Sequence, residues 1–398
     1  MQDIEKQRIA EKIQFYRKKV KLTQEELAEK LNLSRTSVTA IEKGERNLKA
    51  SEILRIAEVL GISVSELRQI PQLDIKSYKI QFRKYISSHA FKEEEETVLE
   101  EFYGYIEKYI ELERKIKYSR VSPESIQPFD REKYTLQEGA RVLAEGERER
   151  LCLGNDPILS MRNLLEQEIG LLVFYFPIEK SSITAGYIFN DDVGGCVFVN
   201  KKHSIEKRRF ALAHEYAHFL ADRRKMSIDD DSESSRNNRI DESDTFANLF
   251  ASHFLMPDGK VKQMFDHIAN STQKFTELDI AYLSVYFGVS FEAITNKLVS
   301  LKLLPKGTYD FMKRNGIKFD SLTRPYKEKS PLHNEDNESS GTYPYMYQKM
   351  VMELYKLEQF SEGQVAYYLG LDRLSVRSLL ESESMNSPHY DLLHVNMR

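Results

Sequence analysis

The chain has 398 residues, 41 % hydrophobic and 30 % charged, with a formal charge of −4. That composition excludes a chain disordered throughout and predicts two or three folded domains. No apolar run reaches the roughly 18 residues of a membrane span, and the start, MQDIEKQRIAEK, lacks the apolar core of a signal peptide, so no membrane partner and a cytoplasmic protein are expected.

Cys152 and Cys196 are the only cysteines; a disulfide scaffold or a cysteine-ligated zinc site needs more, so any metal must use His and carboxylates. Charge is unevenly spread. Residues 1–70 carry 14 Lys/Arg against 11 Asp/Glu, whereas residues 229–244 carry seven acids and two arginines.

The first 70 residues predict five short helices around one small core. Ile9, Ile13 and Tyr16 keep helical spacing. Thr23-Gln24-Glu25-Glu26 forms a capping box that opens a helix with Leu27, Ala28 and Leu31 on its apolar face. After the turn at Asn32-Leu33, Ser34 caps a helix carrying Val38 and Ile41 that Gly44 ends. Ile53, Ile56, Ala57 and Leu60 form a fourth stripe, and Ser63-Val64-Ser65-Glu66 opens a fifth helix.

Residues 71–149 read as a helical linker, with Leu99, Phe102, Tyr105, Ile106, Tyr109 and Ile110 in helical register behind the acidic run Glu93–Glu96. The third segment, 150–305, predicts an α+β domain. Gly170–Phe176 reads as a buried strand and 186–200 as a hairpin, together a small antiparallel sheet. Ser204 caps a helix running to Leu220, and residues 225–241 read as a polar loop before a helix from about Glu242 to Leu255. Further helices are expected over 259–270 and 277–304, then a linker over 306–343 and a small helical module over 344–398. The fold class is therefore multidomain and mainly α, with one α+β domain.

The chemistry sits in His214-Glu215-Tyr216-Ala217-His218. Residues four apart lie about 40° apart around a helix, so two imidazoles can share one ion. Glu215, one position on, reaches water rather than the ion and suits a general base, while the cation lowers that water's pKa. Catalytic zinc needs a third protein ligand. Asp244, 26 residues after His218, is the first choice because a helix puts it on one face with Asn248 and Ala251; Glu242 is the alternative. Tyr187, Tyr216 and His253 are read as packing or hydrogen-bonding residues.

HEYAHFL followed by DTFANLFASHFLMP resembles the ImmA/IrrE family of bacterial and phage metallopeptidases, over roughly residues 150–305. Where that family often carries Glu, this chain has Asp244, one methylene shorter. The resemblance implies a regulatory zinc-dependent endopeptidase that cuts a helix-turn-helix repressor, with Zn2+ on His214, His218 and Asp244 and Glu215 as the catalytic acid. Residues 7–68 resemble the Cro/C1 (XRE) type of helix-turn-helix domain. In that fold the second helix enters the major groove, so Arg35, Thr36, Ser37 and Thr39 face operator DNA, Gln24 and Lys43 approach its backbone or groove edge, and Arg46 contacts phosphate. The modest positive charge suggests a homodimer or weak affinity, and the same helices are also suited to packing against a protein partner. The C-terminal module repeats the rhythm with fewer basic residues and is read as a protein-interaction or packing element. A different class of function also fits: a transcriptional regulator or antitoxin whose peptidase-like domain binds or senses a partner with little turnover.

Overall fold

The computed structural model describes residues 9–10, 13–14, 16–17, 22–44, 46, 48–60, 93–118, 126–179, 181, 183–190, 193–223, 233–334 and 341–385. The chain divides into two compact units, Met1–Ser77 and Tyr78–Arg398.

In the first unit, α1 (Gln24–Leu31) starts at Thr23 with the expected reciprocal cap: the Glu26 amide donates to Thr23 Oγ1 at 3.2 Å and the Thr23 amide to Glu26 Oε2 at 2.7 Å. Asn32 ends it in the left-handed conformation, φ 57°, and Ser34 caps α2 (Arg35–Glu42). With α3 (Ala50–Leu60) and the helical residues around Ile13, these helices bury Leu27, Leu31, Val38, Ile41, Ile56 and Leu60 in one core. The fifth helix expected at Ser63–Glu66 lies outside the described residues.

The second unit is built on a three-stranded sheet of β1 (Leu172–Phe176), β2 (Ala185–Asn190) and β3 (Gly194–Asn200) in the order β1-β3-β2. β2 and β3 form the expected antiparallel hairpin, but β1 joins β3 in parallel, Val173 opposite Val197 and Phe174 opposite Phe198, so the sheet is mixed rather than antiparallel. The reason is burial. Cys196 to Val199 are buried on both faces, and a strand with no polar face belongs at the centre of a sheet covered on both sides.

Alternation along the strands separates the two covers. Val173, Tyr187, Val197 and Val199 face the large core that contains Leu212, Ala213 and Phe219 of α6 (Ile205–Ala221). Phe174, Phe176 and Phe198 meet Phe102 of α4 (Glu93–Ile116), with ring centroids 5.4–6.3 Å apart. The segment expected as a linker thus supplies a wall of the domain. So does α5 (Leu136–Arg150), which packs on α7 (Glu233–Leu255) and accepts the Tyr216 hydroxyl through Glu147.

α7 begins nine residues before the expected Glu242. Its first turns are too polar to announce themselves, but once residues 244–255 are packed, extending a helix costs little compared with starting one. Residues 225–232 of the stretch expected as a loop lie outside the described residues.

Beyond it come α8 (Asp258–Thr272), α9 (Glu277–Phe287) and α10 (Phe291–Ser300). Gly288, at φ +63°, breaks the last two apart, and an added Cβ there would lie 2.8 Å from Arg209 Nε.

The expected linker 306–343 contains α11 (Thr308–Arg314) and α12 (Phe319–Lys327); Met312 is buried, and Phe319 stacks on Phe291 at 4.5 Å. Next, Tyr175 N donates to Thr342 O at 2.9 Å, beside β1, and Arg162 holds the carbonyls of Gly341 and Tyr343. The C-terminal helices α13 (Tyr345–Lys356), α14 (Glu362–Leu369) and α15 (Arg373–Met385) follow, and Tyr347 of α13 contacts Tyr105 and Tyr109 of α4. Among the described residues, no single helix is long and apolar enough to cross a membrane.

If α4 is a structural wall, Phe102→Ala should lower the unfolding free energy of the second unit by about 3–5 kcal/mol, read from denaturant unfolding. A loss below about 1 kcal/mol, the scale of a surface substitution, would mean that the helix is peripheral.

Candidate metal centre

Three side chains from two helices converge. α6, capped by Ser204, carries His214 and His218 one turn apart; α7, packed along it, carries Asp244. His214 Nε2 and His218 Nε2 are 3.0 Å apart, and Asp244 Oδ1 lies 3.6 Å from His218 Nε2 and 4.0 Å from His214 Nε2. A tetrahedral ion with ligand bonds of about 2.1 Å separates its donors by about 3.4 Å. The three distances bracket that value, so the donor set fits one small dication. The shorter Asp carboxylate therefore reaches the shared position. Glu242 is exposed and not part of the convergent group.

The far side of each imidazole fixes its proton. His214 Nδ1 faces Asn248 Oδ1 at 3.0 Å, and His218 Nδ1 faces Asp222 Oδ2 at 3.4 Å and Ser243 Oγ at 3.3 Å. Both rings thereby carry N–H at Nδ1 and a lone pair at Nε2. Two lone pairs and a carboxylate oxygen can then point at one spot, where a cation would offset their mutual repulsion.

Burial, and after it the neighbouring His218, pushes His214 down to about 3, against the hydrogen bond that its Nδ1 donates to Asn248 Oδ1, so its ring is neutral with the lone pair at Nε2. Burial works against the charge of Asp222, yet hydrogen bonds from His218 and Ser243 and the Arg131 charge hold it below the usual carboxylate range. Asp222 Oδ1 is 2.7 Å from Arg131, and its Oδ2 accepts from Ser243 Oγ at 2.6 Å.

The site has a closed side and an open one. The His218 side chain is 1 % exposed, whereas those of His214 and Asp244 are 17 % and 43 % exposed. Glu215 is buried. Tyr187 of β2 is buried too, and its hydroxyl has no hydrogen-bond partner among the described residues. Burial raises that phenol well above its ordinary range; Arg223 opposes the rise, and Cys196, Glu215 and Asp222 add to it, so it stays protonated beside the site.

Tyr216 points the other way, into the aromatic cluster of Phe219, Phe250 and Phe254, and its hydroxyl meets Glu147 and Arg150. His253 is remote from the triad's chemistry: its Nδ1 lies 2.8 Å from Asp258 and 3.0 Å from the buried Lys297.

Sequence reasoning missed Asp222, Ser243 and Arg131. Asp222 had a signal, since it follows His218 at the same four-residue interval by which His218 follows His214; Arg131, 91 residues earlier than Asp222, had none.

In the first unit, Arg35 and Thr36 are exposed on α2, Ser37 is half-buried beside its cap Ser34, and Lys43 is exposed. Gln24 is anchored by Glu42 at 2.7 Å and accepts from Thr39 Oγ1 at 3.3 Å. Glu42 is itself held by Arg17 at 2.6 Å, so both polar residues are presented from a fixed base. Arg46 pairs with Glu52 at 2.7 Å, which gives it a contact inside the unit.

Residues 166–299 match the peptidase M78 family, described as IrrE N-terminal-like domain, and residues 13–67 match a helix-turn-helix family. The chain is also similar to an uncharacterized HTH-type transcriptional regulator of Methanocaldococcus jannaschii, 38 % identical over 56 residues, which are 14 % of this chain and 85 % of that protein.

A metal titration tests the donor set. One equivalent of a transition-metal dication should bind; His218→Ala and Asp244→Ala should each weaken binding at least about tenfold, the lower end expected for disturbing even an outer contact, and Glu242→Ala should leave it unchanged. Stoichiometric binding by Asp244→Ala with loss in Glu242→Ala would reverse the assignment of the third ligand.

Proposed function

We propose that this chain, which matches the M78 (IrrE N-terminal-like) family over residues 166–299 and a helix-turn-helix family over residues 13–67, is a regulatory zinc-dependent endopeptidase that cleaves a helix-turn-helix repressor and so derepresses transcription. The observation that carries this reading is the convergence of His214 Nε2, His218 Nε2 and Asp244 Oδ1 within 4.8 Å, beside Glu215. Zinc suits two imidazoles and a carboxylate.

His214, His218 and Asp244 hold the ion, which when bound supplies Lewis acidity to a peptide carbonyl and acidifies water. The protein's own groups do the rest. Glu215 takes the proton from the attacking water and passes it to the departing amide nitrogen, which would otherwise leave as a poor anion. Asn248 and Asp222 keep the two imidazoles in the ligating tautomer. The exposed flank at His214 and Asp244 is the side from which an extended peptide approaches.

The helix-turn-helix unit directs the enzyme to operator DNA. Arg35, Thr36, Ser37 and Thr39 on α2 lie toward the groove, and Gln24 and Lys43 lie at its edge. Arg46, its Nη2 paired with Glu52, contributes to phosphate binding. A homodimer would double these contacts and offset the unit's small net charge.

Two experiments test the reading. With zinc, the protein should cut a helix-turn-helix repressor encoded beside its own gene, and Glu215→Gln should keep the metal while losing roughly 10²–10⁴-fold in rate. Equal, negligible turnover by both forms would favour the non-catalytic regulator. For DNA, Arg35→Ala should weaken a salt-sensitive mobility shift by about 1–3 kcal/mol; an unaltered shift would move the readout away from α2.

A further inference from the structure

The segment just before α5 lies outside the stretch that matches the peptidase family, 166–299, yet it is fastened to the metal centre. Phe129 N donates to Leu220 O at 2.8 Å, at the end of α6, and the Phe129 ring stacks on Phe246 of α7 at 6.1 Å. Arg223 donates to the Ile126 carbonyl. Asp130 then caps a single tight turn, Arg131–Lys133, whose first residue sends its guanidinium over the Phe246 ring, 5.3 Å from the centroid, and onto Asp222 Oδ1 at 2.7 Å. Both ends of that ion pair are sheltered, with side chains 17 % and 6 % exposed.

We propose that Arg131 is a positioning residue for the metal centre: by holding Asp222 it fixes the carboxylate that orients His218, and it thereby sets affinity for the dication. The inference rests on His214, His218 and Asp244 being ligands.

The argument is geometric. Asp222 has one oxygen turned to the ligand and the other to Arg131. Ser243 meets the same oxygen that faces His218. Without Arg131, nothing among the described contacts of Asp222 holds its Oδ1, and the carboxylate can rotate away from Nδ1. The His218 ring then keeps only Ser243 Oγ at Nδ1, a hydroxyl that can donate as well as accept and so no longer fixes the tautomer, and outer contacts of this kind are worth roughly 10–100-fold in metal affinity. Arg131 is seated by packing over Phe246 that does not involve the ion, so the orientation is built into the fold.

The test uses the full chain and Zn2+ alone, with affinity read by competition against a chromogenic chelator and geometry by the visible ligand-field bands of Co2+. Arg131→Met keeps an apolar stem over Phe246 and removes the charge; Arg131→Lys restores charge. Arg131→Met should bind Zn2+ roughly 10–100-fold more weakly with altered Co2+ bands, Arg131→Lys should recover most of both, and the metal-free melting temperatures should stay close to that of the unsubstituted protein. Wild-type affinity in Arg131→Met overturns the proposal. So does equal weakening in both variants accompanied by a large drop in metal-free stability, which would make the residue structural. If the unsubstituted protein binds no Zn2+, or His218→Ala binds as well as it does, the ligand assignment itself fails and takes this inference with it.

Discussion

Two imidazole nitrogens 3.0 Å apart, each with its proton committed to the opposite side of the ring, are the constraint around which the second unit is organised. Left alone, they repel one another, and Asp244 adds a negative charge to the same spot. The packing of α6 against α7 holds the groups together at an electrostatic cost that a bound cation would relieve. The protein meets that cost with aromatic packing beneath the site. Tyr216, Phe219, Phe250 and Phe254 interlock the same two helices from the buried side, so the polar face of each helix is held by the apolar face behind it.

The rest of the unit keeps those helices still. The sheet supports α6 from one side, and α4 backs the sheet through Phe102. α5 lies along α7, and the Glu147 carboxylate on α5 takes the Tyr216 hydroxyl. Arg162 reaches the carbonyls of Gly341 and Tyr343, so the C-terminal helices are tied to the same sheet rather than left on a tether. Function is thus concentrated on rigid elements, as a constellation with sub-ångström tolerances requires.

What was legible in the sequence was whatever is local. Capping at Thr23, Ser34, Ser204 and Ser290 follows from side chains within three residues of the amides they accept, and the interval between His214 and His218 follows from helical pitch. The choice of Asp244 needed one assumption, that the helix carrying it lies along α6, and the structure brings the two helices together. What was illegible is long-range. The stripe on α4 was visible, but nothing in it names the second face of a sheet as its partner, so a wall read as a linker. The parallel pairing of β1 depends on which strand is central, a property of the whole sheet. The start of α7 is set by packing ten residues downstream, and the Arg131–Asp222 pair spans 91 residues of chain with no periodicity to betray it.

The central claim is that His214, His218 and Asp244 bind one zinc ion through Nε2, Nε2 and a carboxylate oxygen. X-ray absorption at the zinc edge of the protein loaded with one equivalent measures this directly. The account predicts a light-atom shell at about 2.0–2.1 Å with the outer scattering of two imidazoles, falling to one in His218→Ala. A shell with no imidazole contribution, or one that His218→Ala leaves unchanged, would contradict it.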